Sequence, residues 1–209
     1  MVHMKKQPRK TRRQLQAEKL SEAKKLINKA NSLEVPLPSS FQKFTSKDEI
    51  NYEIHCNRAK ELTNEQSSWI IDLMERNMKK SYELSSWGWD ADKKRNELFD
   101  SQAWHLIAIN NNGINVGFSH FRFDVDDDKE VLYCYELQLE TSTRRKGLGR
   151  FMMQALETMA LQNKMQKVVL TVFKSNTTAV AFFHSLGYKL DITSPNDEHY
   201  MILSKLCRD

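Results

Sequence analysis

The stretch that most constrains this chain is Val131–Leu156, VLYCYELQLETSTRRKGLGRFMMQAL. An apolar, aromatic run from Val131 to Leu139 has the composition of a strand and passes into a polar turn, Glu140–Thr143. A basic, glycine-spaced segment follows, Arg144-Arg145-Lys146-Gly147-Leu148-Gly149, with Arg150 directly after it. Apolar residues then recur at Phe151, Met152, Ala155, Leu156, Met159 and Ala160, the spacing of one helix face. Strand, glycine turn and helix N-terminus in that order leave free backbone N–H groups at the positive end of a helix dipole, where an anion is favoured. Glycines at 147 and 149 let the backbone approach that anion with no Cβ in the way. A solvated basic turn is the competing reading; the strand before and the amphipathic helix after favour an anion cradle.

The letters exclude two common phosphate loops. The pattern Gly, four residues, Gly-Lys-Ser/Thr is absent, and Met152 stands where a dinucleotide fingerprint needs its third glycine or alanine. A length of 209 residues suits one α/β domain with a sizeable core. The net charge of +5 is concentrated near the start, at Lys5, Lys6, Arg9, Lys10, Arg12, Arg13, Lys19, Lys24 and Lys25. Cys56, Cys134 and Cys207 are odd in number and far apart, which argues against a disulfide framework or a zinc site and for a reducing compartment. The six histidines show no H-E-x-x-H spacing, so no metal is expected. No apolar run spans a membrane, the basic start lacks a signal-peptide core, and Val2 argues against myristoylation.

Taken in order, Met1–Arg13 reads as disordered. Leu15, Leu20, Ala23, Ile27 and Ala30 make one stripe on a charged helix from Arg12 to Ala30. This arm could dock on the domain, serve nuclear import or touch an anionic surface. Glu34–Lys47, with Pro36 and Pro38, reads as a linker that Phe41 and Phe44 pin to the core. Residues 1–45 are therefore expected as an arm and 46–209 as the main domain. Ile50–Cys56 alternates as a half-buried strand. Thr63-x-x-Gln66 is a capping box opening a helix through about Tyr82, and Asp90–Phe99 is a second short helix. Between them, Trp87 and Trp89 in Ser85-Ser86-Trp87-Gly88-Trp89 either plug the core edge or cover a bound peptide. Trp104–Asn110 and Ile114–Val125 are strands joined by a turn at Asn111-Asn112-Gly113. Lys167–Phe173 is a buried strand, Asn176–Leu186 a helix closed by Gly187, and Tyr188–Ile192 and Tyr200–Lys205 are final strands.

That order resembles the GNAT superfamily of N-acetyltransferases, as does Arg-x-x-Gly-x-Gly and the helix ending Phe182-Phe183-x-x-x-Gly187-Tyr188. The resemblance implies an α/β GNAT fold: a mixed, mostly antiparallel sheet with splayed central strands flanked by helices, plus an N-terminal helical arm. It implies acetyl-CoA as co-substrate, held by Leu137, Gln138 and Leu139 between the splayed strands. Arg144, Arg145, Lys146, Gly147, Leu148, Gly149 and Arg150 would hold its pyrophosphate, with Asn176 and Phe182 also in contact. SSWGWD (from Ser85), SHFRFDV (from Ser119), EVLYCYELQLE (from Glu130), RRKGLGRF (from Arg144) and LTVFKSN (from Leu170) are similar to the NatD-type branch, over roughly Tyr52 to Ser204. That branch acetylates the α-amine of histones H4 and 2A. It implies substrate contacts for Tyr82, Trp87, Asp124, Val125, Asp126, Tyr133, Tyr135, Thr171 and Tyr200, and catalytic roles for Glu136, Tyr135 and Tyr200. Asp126 departs from the branch, which carries Glu there.

The residues support the chemistry separately. An α-amine, with a pKa of about 7.7–8.0 against about 10.4 for lysine, needs only a modest base to become nucleophilic. Glu136 lies in an aromatic run where desolvation would raise its pKa; read alone, it is equally a glutamate at a strand's solvent edge. Asp124 and Asp126 share one side of an extended strand and would clamp the arginine of Ser-Gly-Arg-Gly tails; otherwise they solvate a turn with Asp127 and Asp128. Direct transfer in a ternary complex is expected, because Cys134 has no histidine near it in sequence to activate it. Acceptance of lysine or a small amine is the alternative activity, and a non-catalytic chromatin module the alternative class. A monomer in cytoplasm and nucleus is expected, with ribosome or chromatin association through the basic arm and no membrane contact.

Overall fold

The computed structural model describes residues 10–207. The readings made on residues 1–9, including their disorder, lie outside the described residues. The helix expected from Arg12 starts there, and Thr11, read as part of the disordered start, is its N-cap. Thr11 accepts a hydrogen bond from the Gln14 N–H while Gln14 reaches back to Thr11, a capping box that starts α1 (Arg12–Asn31). Of the expected stripe Ala23, Ile27 and Ala30 are buried, Leu20 is half-buried and Leu15 is exposed, so the helix docks by its second half. Asn31 fixes the far end of α1, accepting from the Trp104 indole at 3.1 Å and donating to the Phe123 carbonyl at 3.4 Å. Gln16 anchors the near end on Asp128 at 2.6 Å.

The expected linker contains a short edge strand, β1 (Lys43–Thr45), paired antiparallel with β2 (Asn51–Arg58). Phe44 stacks on Tyr52 and on Phe151, which pulls three otherwise patternless residues into the sheet. The Thr63–Gln66 capping box opens α2 (Asn64–Glu83), and Asp90 caps α3 (Ala91–Leu98). β3 (Trp104–Asn110), β4 (Asn115–Asp126) and β5 (Lys129–Leu139) form an antiparallel meander. Its second turn has only two residues, Asp127 and Asp128, both at positive φ, as tight hairpins require. Then come α4 (Leu148–Gln162), β6 (Lys167–Phe173), α5 (Thr177–Ser185), β7 (Lys189–Leu190) and β8 (Tyr200–Leu206). The strand expected over Tyr188–Ile192 shrinks to two residues, and Ile192 is exposed.

The strands lie in the order β1-β2-β3-β4-β5-β6-β8-β7, and only β5 and β6 run parallel. This is the expected α/β GNAT architecture. One core joins α1, α4 and α5 to one face of the sheet. A smaller one, built on Ile70, Leu73, Met74, Leu98, Ile107 and Phe118, seats α2 and α3 on the other.

Two histidines are sealed beneath α2 and α3. His105 and His120 are fully buried and stacked 5.3 Å apart, and neither ring nitrogen of His105 has a hydrogen-bond partner. Burial, then the nearby Arg122 charge, lowers the pKa of His105 to about 3, and burial also drives His120 well below its ordinary value. Both are neutral when folded and protonate near pH 6.5 when unfolded. The unfolded chain therefore takes up the protons first; this contribution to stability is complete above about pH 6.5 and is lost as the pH falls toward about 3. Thermal melts between pH 7 and pH 5 should show a smaller loss of Tm for His105→Leu than for the wild type. Equal slopes would remove His105 from the acid sensitivity.

Candidate active site

The site begins where a pairing stops. β5 and β6 are in register from Val131 opposite Lys167 to Cys134 opposite Leu170, yet β5 continues to Leu139 and β6 to Phe173. The cause lies on the other edge of β5. Against β4, His120 pairs with Glu136 and Phe121 with Cys134, so Tyr135 is an extra, bulged residue. A bulge bends its strand and re-aims the side chains that follow. Leu132 and Cys134 belong to the α1/α4 core, and beyond the bulge Leu137 and Leu139 pack there too. Glu136 and Gln138 instead meet α3 and α2, through Lys94 and Asn77. Straight alternation would have put Glu136 with Cys134.

The gap holds a cavity of about 270 Å³. Tyr133, Tyr135, Glu136, Leu137 and Gln138 border it from β5, Thr171 from β6, Asn176 from the start of α5, and Tyr82 and Trp87 from the α2–α3 side. The Glu136 carboxylate is 7% exposed, 3.2 Å from the Lys94 ammonium, and accepts from the Gln138 amide at 3.0 Å. Burial raises its pKa, against the opposing pull of Lys94 and Gln138. Burial likewise lifts Tyr82 and Tyr133 to about 12. Tyr133 and Thr171 share a 2.6 Å hydroxyl–hydroxyl bond across the start of the gap. Tyr135 stacks on His120 at 4.9 Å, with the Arg122 guanidinium 4.8 Å from its ring. The Cys134 thiol, sealed and lifted to about 12, stays protonated and is no nucleophile.

The two tryptophans divide the readings between them. Trp89 packs edge-on against Tyr82 in the α2/α3 core. Trp87 is 47% exposed and lies against Phe173 and Tyr200 at the cavity mouth. Tyr200, on β8 opposite Phe173, stands behind Trp87 rather than on the cavity wall.

On the acceptor side the expectation of two free carboxylates needs correction. Phe121, Phe123 and Val125 pack into the α1/α4 core, so Asp124 and Asp126, alternating with them along β4, share the opposite face. Asp126, however, is 3.3 Å from Lys167, a buried lysine that also bonds Asp191 at 2.7 Å. Of the two, Asp124 alone has no ion pair among the described residues; it accepts from the Val125 N–H at 2.7 Å. The Val125 side chain packs into the α1/α4 core, so only its backbone can meet a substrate.

The basic loop is also more selective than its letters. Arg144 turns back onto the strand, donating to the Leu139 carbonyl at 3.2 and 3.1 Å and to Asn77 at 2.8 Å. Arg144 is therefore an anchor of the loop, and the Leu139 carbonyl is already occupied. Lys146 pairs with Asp48 at 3.3 Å, and the Leu148 side chain is fully buried. Arg145 and Arg150 are exposed and have no ion pair among the described residues. Thr11, Thr63, Asp90 and Asn176 cap the other four α-helices with side chains, whereas α4 starts at Gly147 with none. The first N–H groups of α4 are thus left for an external acceptor. Phe182 and Leu139 flank Gly149, their atoms 3.4 Å from where a Cβ would sit. These features fit a pyrophosphate.

Lys94, Glu97 and Asn77, all joined to this site, escaped the sequence reading. Lys94 and Glu97 carry the ordinary i,i+3 signature of a solvated helix face, and nothing local announces that Lys94 is 8% exposed.

A sheet opened between parallel strands beside an uncapped helix defines the class. The family model described as acetyltransferase (GNAT) family matches residues 66–188, and the chain belongs to that family. The uncharacterized protein YdhI of Bacillus subtilis (strain 168) is 27% identical over 91 residues, 44% of this chain; the match spans about half, 53%, of that relative's length. The crystal structure of the GNAT domain of S. lividans PAT is similar, with TM-score 0.62 and 10% identity over 81% of this chain and 98% of that one. PaiA N-acetyltransferase of Thermoplasma acidophilum, in complex with coenzyme A, has TM-score 0.53 and 14% identity, covering 74% and 99%. At these identities the likeness is one of fold.

The two loop glycines should respond differently to alanine. Gly147 has φ +94, and its Cβ would sit 3.2 Å from Phe44, whereas Gly149 would make ordinary contacts. Urea unfolding should show Gly147→Ala losing about 1–2 kcal/mol from the left-handed backbone. Gly149→Ala should stay within about 1 kcal/mol of wild type, helped by helix propensity. Equal losses would contradict the loop geometry.

Proposed function

We propose that this protein transfers an acetyl group from acetyl-CoA to the N-terminal α-amine of histones H4 and 2A. The observation that carries the reading is Glu136, a buried carboxylate in a cavity lined by β5 as far as Gln138, whose neighbour Leu139 packs against Gly149 at the uncapped start of α4. Acetyl-CoA supplies an activated thioester on a long arm that ends in a pyrophosphate. Backbone N–H groups of Leu148, Gly149 and Arg150, with the side chains of Arg145 and Arg150, suit the pyrophosphate. Edges of Leu137 and Gln138, unpaired toward β6, suit the amide-bearing arm.

Glu136 takes the proton of the acceptor ammonium, directly or through one water, and burial makes it a stronger base than an exposed carboxylate by raising its pKa. Tyr135 borders the cavity and Tyr200 does not, so Tyr135 is the better placed to protonate the leaving thiolate. Trp87, Tyr82 and Tyr133 wall a site for small side chains at the first two positions. Asp124 and, in exchange for Lys167, Asp126 meet the arginine at the third. The NatD-like motifs noted above support the histone acceptor. Monomeric action in cytoplasm and nucleus, with the basic arm on ribosome or chromatin, belongs to the same proposal.

A second reading, acetylation of lysine or small amines, is favoured by the Asp126–Lys167 pair, which leaves one free carboxylate where two were expected. Intact-mass assays on Ser-Gly-Arg-Gly peptides with free and blocked amino termini separate the two. Acetylation of the free peptides alone is expected; acetylation of lysine-bearing blocked peptides would overturn the α-amine assignment. Glu136→Gln should lower kcat by about 100-fold or more at unchanged acetyl-CoA affinity; unchanged kcat would remove Glu136 from catalysis. Asp124→Ala should raise KM about tenfold for peptides with arginine at position three and leave alanine-three peptides unaffected. An equal rise on both would argue against arginine reading.

A further inference from the structure

Lys94 is a charged residue whose burial the fold works to compensate. Its ammonium sits 2.7 Å from the Tyr82 hydroxyl, 2.7 Å from Glu97 and 3.2 Å from Glu136, and 4.7 Å from the centre of the Tyr82 ring. It thereby links α2, α3 and β5 at one point, and it borders the cavity. Burial alone would drive both Lys94 and Glu136 toward their neutral forms. An opposite charge within about 4 Å pulls each of them back.

We infer that Lys94 is a positioning residue for the proposed acetyl transfer: its ammonium keeps the Glu136 carboxylate ionised and aimed into the cavity. The inference rests on the reading of Glu136 as the proton acceptor. The groups that face Glu136 from the surrounding elements agree with it. α3 brings Lys94 and Glu97, α2 brings the Tyr82 hydroxyl, β5 itself brings the Gln138 amide, and β4 brings His120, which burial keeps neutral. β6 and α5 present the uncharged Thr171 and Asn176. Arg122 lies behind Tyr135, bonded to the Glu97 carbonyl and near Asp100. Lys94 is thus the one cation within bonding distance of the Glu136 carboxylate among the described residues. Its second carboxylate partner, Glu97, acts in the opposite direction, repelling Glu136 and competing for the ammonium.

The opposed signs make the inference testable by pH profiles of kcat/KM. Lys94→Met keeps the apolar stem and removes the charge. It should move the acid limb up by about one pH unit or more, with most of the rate regained at alkaline pH, and Lys94→Arg should return the limb toward wild type. Glu97→Gln disturbs the same cluster on the same helix but should leave the limb unmoved or shift it down. A purely structural role for the cluster predicts that Lys94→Met and Glu97→Gln lower activity alike at every pH, and that result would overturn the inference. If Lys94→Met fails to fold, Glu97→Gln decides: an upward shift of its acid limb rejects the inference. The Glu136→Gln variant keeps the two failures apart. Loss of turnover there, together with an unmoved limb in Lys94→Met, defeats the role of Lys94 alone. Wild-type turnover in Glu136→Gln defeats the proton-acceptor reading, and the role of Lys94 with it.

Discussion

Everything at the site depends on how few residues β5 and β6 share. A parallel pair that continued to the ends of both strands would close the sheet, and the cavity would not exist. Pairing ends at Cys134 and Leu170 because one extra residue, Tyr135, bends β5 on its β4 edge. The same bulge rotates Glu136 and Gln138 onto the α2/α3 face while returning Leu137 and Leu139 to the larger core. A single backbone irregularity therefore opens the gap and selects the side chains that line it. The open backbone edge costs little because it faces a cavity where water or an extended ligand can bond it.

Two buried lysines show how the fold manages charge around that opening. Lys94 sits between Glu97 and Glu136, and Lys167 between Asp126 and Asp191. Each ammonium gives up hydration worth several kcal/mol and recovers it only through close carboxylates. Lys167, at the closed start of the β5–β6 pair, ties Asp126 and Asp191 to the sheet, while at the other end of β6 the pairing of Phe173 with Tyr200 sets His199 and Tyr200 beside Trp87. Lys94 seats α3 over the cavity. The buried pair His105 and His120 adds an acid-sensitive layer under the same helices, since rings sealed from water, His105 with no hydrogen-bond partner and His120 accepting from Arg122, are stable only while they stay unprotonated.

The loop before α4 divides its labour in a way that composition conceals. Of its basic side chains, Arg144 closes the end of β5 and Lys146 ties down Asp48, leaving Arg145 and Arg150 exposed and without an ion pair among the described residues. Local sequence marks the strand, the glycines and the helix because each has a short-range cause: alternation, tolerance of positive φ, helical periodicity. It does not mark which of several arginines turns inward, because that depends on where Leu139 and Asn77 arrive from elsewhere in the chain.

The same boundary separates what was legible from what was not. The helices, the capping box at Thr63–Gln66, the meander and the buried run Lys167–Phe173 follow from patterns within about ten residues, and the order of elements with Arg-x-x-Gly-x-Gly and the Phe182–Tyr188 helix end points to the GNAT family before any fold is seen. β1 escaped because three edge residues carry no period, and are held by Phe44 against Tyr52 and Phe151. Lys94 looked like one more charge on a polar helix, and Asp126 like a free partner for arginine, until folding placed Glu136 beside the one and Lys167 beside the other. Sequence alone determined most of the elements, the family and the glycine turn that opens α4 without a side-chain cap, since those arise from interactions between near neighbours. Tertiary structure alone decided the face Glu136 occupies and which charges are already paired, since both depend on contacts between residues tens of positions apart.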